Sequence, residues 1–402
     1  MKLSDRVQAN THLLVVWEAA THRLAEIETD LQRRFEQLYK IRVRWSEAHV
    51  HENMGRFYGK KLPDIAEKVA HCGAGEFVVY FLDDPVPSWA VLETSSGPQL
   101  VNRNMFEAKQ LYREMTGGGH RVHATNNSPE TLRDAVLLLG NELPRPEDFE
   151  SAIHRDLTGC RGWSSLTEMF AVVNLCAKYV VLRNFDTLPE EHHTELHGDI
   201  DVLCVNRDEF AQLTNARRVF PQAYRRHYMV NVGGKDVAFD IRDVNENYYC
   251  PRWSRDLIRR RVARPGIYTP DQQDYLYSLA YHALLHKAFL PADYGVKLAA
   301  LFDSADQMDP VSNHLGYIAE ALELYMSTNG YRFVRPLDWS VYFNYRNSPK
   351  AYFPLLRFIH SPPTTLKHFK RELRALLPAL YRQYVKTTVS RLKKMFASKH
   401  EQ

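Results

Sequence analysis

Cysteine is scarce in this chain. Only five occur among 402 residues, and Cys72, Cys160, Cys176, Cys204 and Cys250 are scattered without CxxC spacing. That pattern excludes a disulfide framework and a paired-cysteine zinc cage, and it suits reduced, mostly buried thiols of a cytoplasmic protein. Long apolar runs are also missing. Residues 1–10 are polar and the apolar stretch at 13–17 is too short for a signal. Nothing approaches the ~20 apolar residues of a membrane-spanning helix. There is no internal repeat and no low-complexity segment. The charges nearly balance at a net +4, which alone names no polyanion as partner. Acids are lacking in one place: Lys367, Lys370, Arg371, Arg374, Arg382, Lys386, Arg391, Lys393, Lys394 and Lys399 face the single acid Glu372.

The remainder is ordinary globular material. With 45% hydrophobic and 25% charged residues the chain can build a core unaided, and 402 residues suggest two or three domains. Over residues 11–140 short strands alternate with helices. Strands are predicted at 12–17, 41–45, 76–82 and 121–124, and helices at 22–38, 62–71, 106–115 and 128–139. Cys72-Gly73 and Gly117-Gly118-Gly119 act as stops, and Ser128 is the expected cap of the helix that has Pro129 in its first position. This βαβ-βαβ order suits a ferredoxin-like sandwich. The Pro- and acid-rich LPRPED at 143–148 marks a boundary.

Beyond it, a helix at 166–177 leads into a β-branched run at 179–182, a polar turn with Pro189, and a second apolar strand that carries Asp199 and Asp201. A helix at 207–214, a strand at 225–232, a Gly233-Gly234 hairpin turn and a returning strand at 237–241 follow, the last bearing Asp240. From 248 onward the pattern is helical, first at 253–261 and 271–288, with Pro-rich joints at Pro336 and Ser361-Pro362-Pro363. The expected fold is α+β in three parts: a ferredoxin-like domain over 1–142, a mixed-sheet domain over 150–265 and a helical region over 266–402.

The chemistry is concentrated in the aspartates. Residues two apart on a strand share a face, so Asp199 and Asp201 stand side by side. Adjacent carboxylates repel unless a cation lies between them, and hard divalent cations such as Mg²⁺ or Mn²⁺ prefer such oxygen ligands. Asp240 on a neighbouring strand completes a set suited to metal-assisted phosphoryl chemistry, and it is a candidate acceptor for the proton of an attacking hydroxyl. Arg183, Asn184, Lys235, Arg242 and Lys287 are candidate phosphate contacts. His192, His193 and His197 lie in a polar loop and read as solvated, while His282 and His286, four apart on a helix, lack the glutamate of a metalloprotease.

HGDIDVLC, with FDIRDV about forty residues on, resembles the nucleotidyltransferase fold of the DNA polymerase β superfamily. The likeness is closest to its uncharacterised bacterial branch, with LicD and fukutin-type phosphotransferases as more distant relatives, and YTPDQQDYLYSLAYHALLHKAFLPADYG resembles the helical part of that branch. The family's Gly-Ser phosphate grip is replaced here by Arg183-Asn184. The resemblance implies Asp199, Asp201 and Asp240 as catalytic metal ligands, a nucleotide or nucleotide-activated donor, and a glycan or other hydroxyl acceptor. In the N-terminal part, HENMGRFYG and VHATNNSPETLRDAVLLLG resemble nucleoside diphosphate kinase. That likeness implies His123 as a phosphohistidine, with Thr125 nearby and Arg103 as a phosphate contact. The family's asparagine three residues before the histidine is His120 here.

The basic segment at 366–399 keeps helical apolar spacing at Leu366, Phe369, Leu373, Leu376, Leu377, Leu380 and Tyr384, interrupted by Pro378. It suits a solvated face, an anionic membrane surface at the cytoplasmic side or, less well, a nucleic acid. The sequence thus points to a cytoplasmic or peripheral Mg²⁺-dependent transferase, plausible in surface polysaccharide biosynthesis. An RNA- or protein-directed nucleotidyltransferase of the toxin or defence kind, and a non-catalytic nucleotide-binding regulator, are the alternatives.

Overall fold

The structure, a computed structural model, describes residues 7–59, 64–94, 97–141, 152–192, 198–222, 224–288, 292–305 and 314–344. The linker at 143–148, His193 and His197, Ser361-Pro362-Pro363 and the basic segment at 366–399 lie outside them. The protein is α+β, with mixed sheets. It divides into two compact units: residues 1–221, 226–243 and 258–270 form one, and residues 222–225, 244–257 and 271–402 the other. Among the described residues no helix is long and apolar enough to cross a membrane.

The first unit holds two five-stranded sheets. In the first, β1 (Thr11–Val16), β2 (Glu36–Arg44), β3 (Phe77–Asp83), β6 (Val122–Ala124) and β7 (Ile153–His154) lie in the order β6-β1-β3-β2-β7. All neighbours are antiparallel except β2 and β7. Helices α1 (Leu24–Arg34) and α4 (Arg103–Met115) cover one face and close a core around Leu14, Val16, Tyr80, Tyr112 and Val122. That core exists because alternate residues of β1, β3 and β6 are apolar and the two helices bring Ile27, Leu31, Met105 and Ala108 onto one stripe each. The opposite face carries Leu13, Val15 and His123, with α5 (Ser128–Leu139) packed on β1.

Several boundaries differ from those predicted. The helix foreseen over 22–38 is a 3₁₀ turn at Glu18–Arg23 followed by α1, and residues from Glu36 onward join β2. Pairing along the whole of β3, from Glu36 against Asp83 with a bulge between Gln37 and Tyr39, outweighs the local helical spacing there. The cap of α5 is Asn127, not Ser128: its side chain accepts from the Glu130 N–H, while Glu130 reaches back to the Asn126 N–H at 2.8 Å. Two hairpins were not foreseen, β4 (Trp89–Thr94) with β5 (Gly97–Asn102), and β13 (Val262–Arg264) with β14 (Ile267–Thr269).

The second sheet contains β8 (Tyr179–Val181), β9 (Ile200–Cys204), β10 (Arg217–Arg218), β11 (His227–Val232) and β12 (Lys235–Asp243), in the order β10-β11-β12-β9-β8. Only the central pair, β12 and β9, is parallel. Gly233 and Gly234 both have positive φ, which the two-residue turn between β11 and β12 requires. Helix α6 (Leu166–Cys176) precedes β8 and starts in a capping box. Ser165 accepts from the Glu168 N–H, and Glu168 accepts from Ser164 N–H and Oγ. Helix α7 (Arg207–Thr214) follows β9 and packs on α6.

The two sheets are joined by reciprocal capping. Arg56, at the end of α2 (Val50–Tyr58), donates to the carbonyls of Gln212 (2.7 Å) and Leu213 (2.8 Å), which close α7. Gln212 in turn donates to the carbonyls of Arg56 and Phe57. Each helix end therefore satisfies the orphan carbonyls of the other. Burial lowers the pKa of Arg56 to about 10, still far above neutrality, so the bridging charge is retained.

The second unit is helical, with most of α8 (Pro251–Arg259), then α9 (Gln272–Leu285), α10 (Ala292–Ala305) and α11 (His314–Thr328). Its core is aromatic. Trp253 stacks on Tyr331, and Tyr281 on Phe333. Buried Asp274 anchors them by accepting from Trp253 Nε1 (3.0 Å) and Tyr325 Oη (2.8 Å). His282 and His286 belong to this core, His282 hydrogen-bonding Tyr248.

Candidate functional site

Parallel pairing of β9 and β12 sets Asp201 directly beside Asp240, and Asp199 sits two residues before Asp201, at the entrance to β9. The three carboxylates each offer an oxygen, and these lie within 4.8 Å of one another, a set able to hold a metal ion. The strand β9 is buried along its whole length between β8 and β12, which fixes the pair on rigid backbone.

Two guanidiniums enter the cluster. Arg183, just after β8, donates to Asp201 Oδ1 at 2.6 Å, and Arg242 donates to Asp240 Oδ2 at 2.5 Å. All four groups are buried. Among the described residues the three carboxylates have two guanidiniums bonded to them, on Asp201 and Asp240. The second oxygen of Asp240 is buried with no hydrogen-bond partner among the described residues. Leaving an ionised oxygen so is costly unless a cation or donor arrives. The electrostatics agree. Burial, then the charges of Asp201 and Asp240, push Asp199 up to about 6 against the relief given by Arg183 and His227. Burial raises Asp240 too, and Arg242 only partly offsets it while Asp201 adds to it.

Asn184 takes a left-handed conformation with φ of 54° and lines a small concavity with Thr187, Leu188, Glu191, His192, Asp199 and Ile200. Arg183 and Arg242 thus reach the cluster as carboxylate partners. Lys235 does not reach it: it sits at the hairpin end of β12, paired with Val232 and five residues from Asp240. At about 3.4 Å per residue that is roughly 17 Å along the strand. Lys287 lies in the second unit, just beyond α9, with its carbonyl accepting from Asn344.

Sequence reasoning passed over His227. It stands opposite Asp240 in the β11–β12 ladder, its charge lowers the pKa of both Asp199 and Asp240, and its Nδ1 is buried without a partner among the described residues. Its place at the start of β11, thirteen residues before Asp240 across a hairpin, was the available signal.

His123 forms a separate cluster on β6. Its Nε2 meets Asp134 Oδ2 at 2.8 Å, and the ring is held edge-on by Phe57 and Tyr58. Burial alone would raise Asp134, but Arg133 beside it and the His123 hydrogen bond hold its carboxyl below the usual range. Thr125 is buried against Thr131, and Arg103 opens α4. No known protein family matches the chain, and no curated protein matches it in sequence.

Proposed function

We propose that the second sheet is the catalytic core of a divalent-metal-dependent nucleotidyl or phosphoryl transferase acting on a hydroxyl acceptor, with Asp199, Asp201 and Asp240 as the metal ligands. The observation that carries this reading is the convergence of the three carboxylates on adjacent strands with one buried Asp240 oxygen unpartnered. The order β8-β9-β12, mixed in direction and preceded by α6, supports a nucleotidyltransferase fold. In the first sheet, the antiparallel order β6-β1-β3-β2 supports a ferredoxin-like, nucleoside diphosphate kinase-like domain.

The residues divide the work. Arg183 holds Asp201 through Oδ1 and Arg242 holds Asp240 through Oδ2, and Asp240 Oδ1 is left buried without a partner among the described residues. Asp199, to which no guanidinium is bonded among the described residues, supplies the acceptor set with least competition. Bound Mg²⁺ or Mn²⁺ would stabilise negative charge on the attacking oxygen and on the transferring phosphorus group. His227, beside Asp240, is the group placed to relay the acceptor's proton. The donor is a nucleotide or nucleotide-activated molecule and the acceptor a glycan or other hydroxyl.

The test is Mg²⁺- or Mn²⁺-dependent transfer from labelled nucleotides, with the double variant Asp199→Asn/Asp201→Asn as control. Transfer should fall by about a thousandfold or more, the scale of losing a metal's electrostatic stabilisation. Undiminished transfer in the variant would sink the assignment. The two buried ion pairs favour one rival, a regulator that binds metal and nucleotide without turnover. Saturable Mg²⁺ binding with no transfer from any nucleotide would establish it.

A further inference from the structure

A second concavity, of about 380 Å³, opens where the end of β2 and β7 meet the loop that leads to α6. It shares no lining residue with the carboxylate site. We propose that it binds the phosphate group of a small phosphorylated molecule, held chiefly by Arg44 and Arg155.

Charge is the first support. Arg44, Arg155 and Arg161 line the concavity against Asp156 and Glu168. Both acids are already committed. Asp156 accepts from Ser46 N–H and Oγ, from Asn53 and from Arg161 (3.2 Å), and Glu168 is the capping partner of Ser164. Among the described residues neither Arg44 nor Arg155 has a side-chain ion pair or hydrogen bond, so two guanidinium forks meet the concavity without a counter-ion. A tetrahedral oxyanion takes such forks bidentately.

Crowding is the second. The Arg155 side chain is exposed as a whole, yet its Nη2 packs so closely on Gly140 that a Cβ there would come within 3.0 Å. Protein atoms around the guanidinium lower its pKa, with no carboxylate to offset the cost. Close by, Thr158, also a lining residue, has its Oγ1 buried without a partner among the described residues. A hydroxyl and two guanidiniums left unmatched in one concavity share the same missing partner, an anion.

Rigidity is the third. A Cβ on Gly159 would strike the Trp163 ring at 2.5 Å, and one on Gly162 would strike Asn231 at 2.3 Å. Asn215 donates to the carbonyls of Gly159 and Cys160, and Trp163 Nε1 to that of Thr214. The loop is therefore fixed before any ligand arrives, which reduces the ordering cost of binding. The volume suits a nucleotide or sugar phosphate rather than a larger polyanion.

Calorimetric titration of the full chain with inorganic pyrophosphate, in EDTA and at low salt, tests the site apart from the metal chemistry. Wild type should bind and Asp199→Asn should bind equally. Arg155→Ala should weaken binding about tenfold, and the Arg44→Ala/Arg155→Ala pair should abolish it. Arg155→Lys should recover part of the loss, because a point charge replaces the fork. Should the double variant melt far below wild type, Arg161→Glu, on the rim, is the substitute and should also weaken binding. No wild-type binding at millimolar pyrophosphate would overturn the proposal, as would equal binding by the arginine variants or loss in Asp199→Asn. Arginine-dependent binding of a short RNA without binding of pyrophosphate would overturn it as well.

Discussion

The two sheets of the first unit each hold a buried acidic cluster, and the clusters differ in how their charge is met. Against the first sheet, Asp134 of α5 is fully enclosed, with Arg133 on one oxygen and His123 on the other. Its carboxyl is held down because those partners outweigh burial. On the second sheet, Asp199 and Asp240 are pushed up because burial and mutual repulsion exceed what Arg183 and Arg242 return. The same residue type is thus fully partnered in one place and under-partnered in the other. Burial alone does not separate them; the count of partners per oxygen does.

The largest expected effect tests the closed cluster. Asp134→Ala strands His123 and Arg133 and should cost about 3–5 kcal/mol of stability, the usual penalty for breaking a buried pair. Urea denaturation followed by circular dichroism measures it. Because the folded pKa of Asp134 lies below its unfolded value, its contribution is present above the unfolded pKa and fades as pH falls through the folded one. A loss under 1 kcal/mol would show that the partners re-pair without it and that the contrast is overstated.

The open cluster should respond to metal where the closed one does not. At a hundred times its dissociation constant, Mg²⁺ or Mn²⁺ should stabilise wild type by about 2.7 kcal/mol. Asp201→Asn should erase that gain, and His123→Ala should leave it intact. Thermal unfolding with and without the cation reads both. An equal gain in wild type and Asp201→Asn would place the cation elsewhere, for instance at the His123, Glu130 and Asp134 group.

Asp199 supplies a smaller effect of opposite sign. Its folded pKa, about 6, lies above the unfolded value near 3.8, so the native state holds the proton more tightly. Stability should therefore fall as pH rises from about 4 through 6, and the cost is fully present above that window. Asp199→Asn should flatten this slope and stabilise the metal-free protein at pH 7.5 by on the order of 1 kcal/mol, allowing for the solvent that reaches a half-buried group. Denaturant midpoints measured across this range decide it, and an unchanged slope would remove Asp199 from the strained set.

The chain made the carboxylates legible because period-two alternation places Asp199 and Asp201, and a Gly-Gly turn announces the strand bearing Asp240. Register was not legible. Nothing local says that β12 lies parallel to β9 with Asp240 against Asp201, or that β2 begins at Glu36. The partners were hidden for the same reason: Arg183 was expected to grip phosphate, and its bond to Asp201 follows from β8 pairing with β9. Loop-borne features such as the Arg44 and Arg155 concavity arise from three chain segments and leave no periodic trace.

Lys235 gives the smallest effect and marks how far the open cluster extends. It is exposed at the hairpin end of β12, beside Gly234 and paired with Val232, roughly 17 Å along the strand from Asp240. A surface lysine so placed contributes within about 0.5 kcal/mol of stability. Lys235→Ala should therefore fold as wild type does and transfer within about twofold of it, whereas Arg242→Ala, which uncovers the buried Asp240, should lose both stability and turnover. Steady-state rates for the two variants, taken side by side, make the comparison. A drop of tenfold or more in Lys235→Ala would mean that the donor reaches the hairpin, so that the site runs the length of β12 and the carboxylates hold only its reactive end.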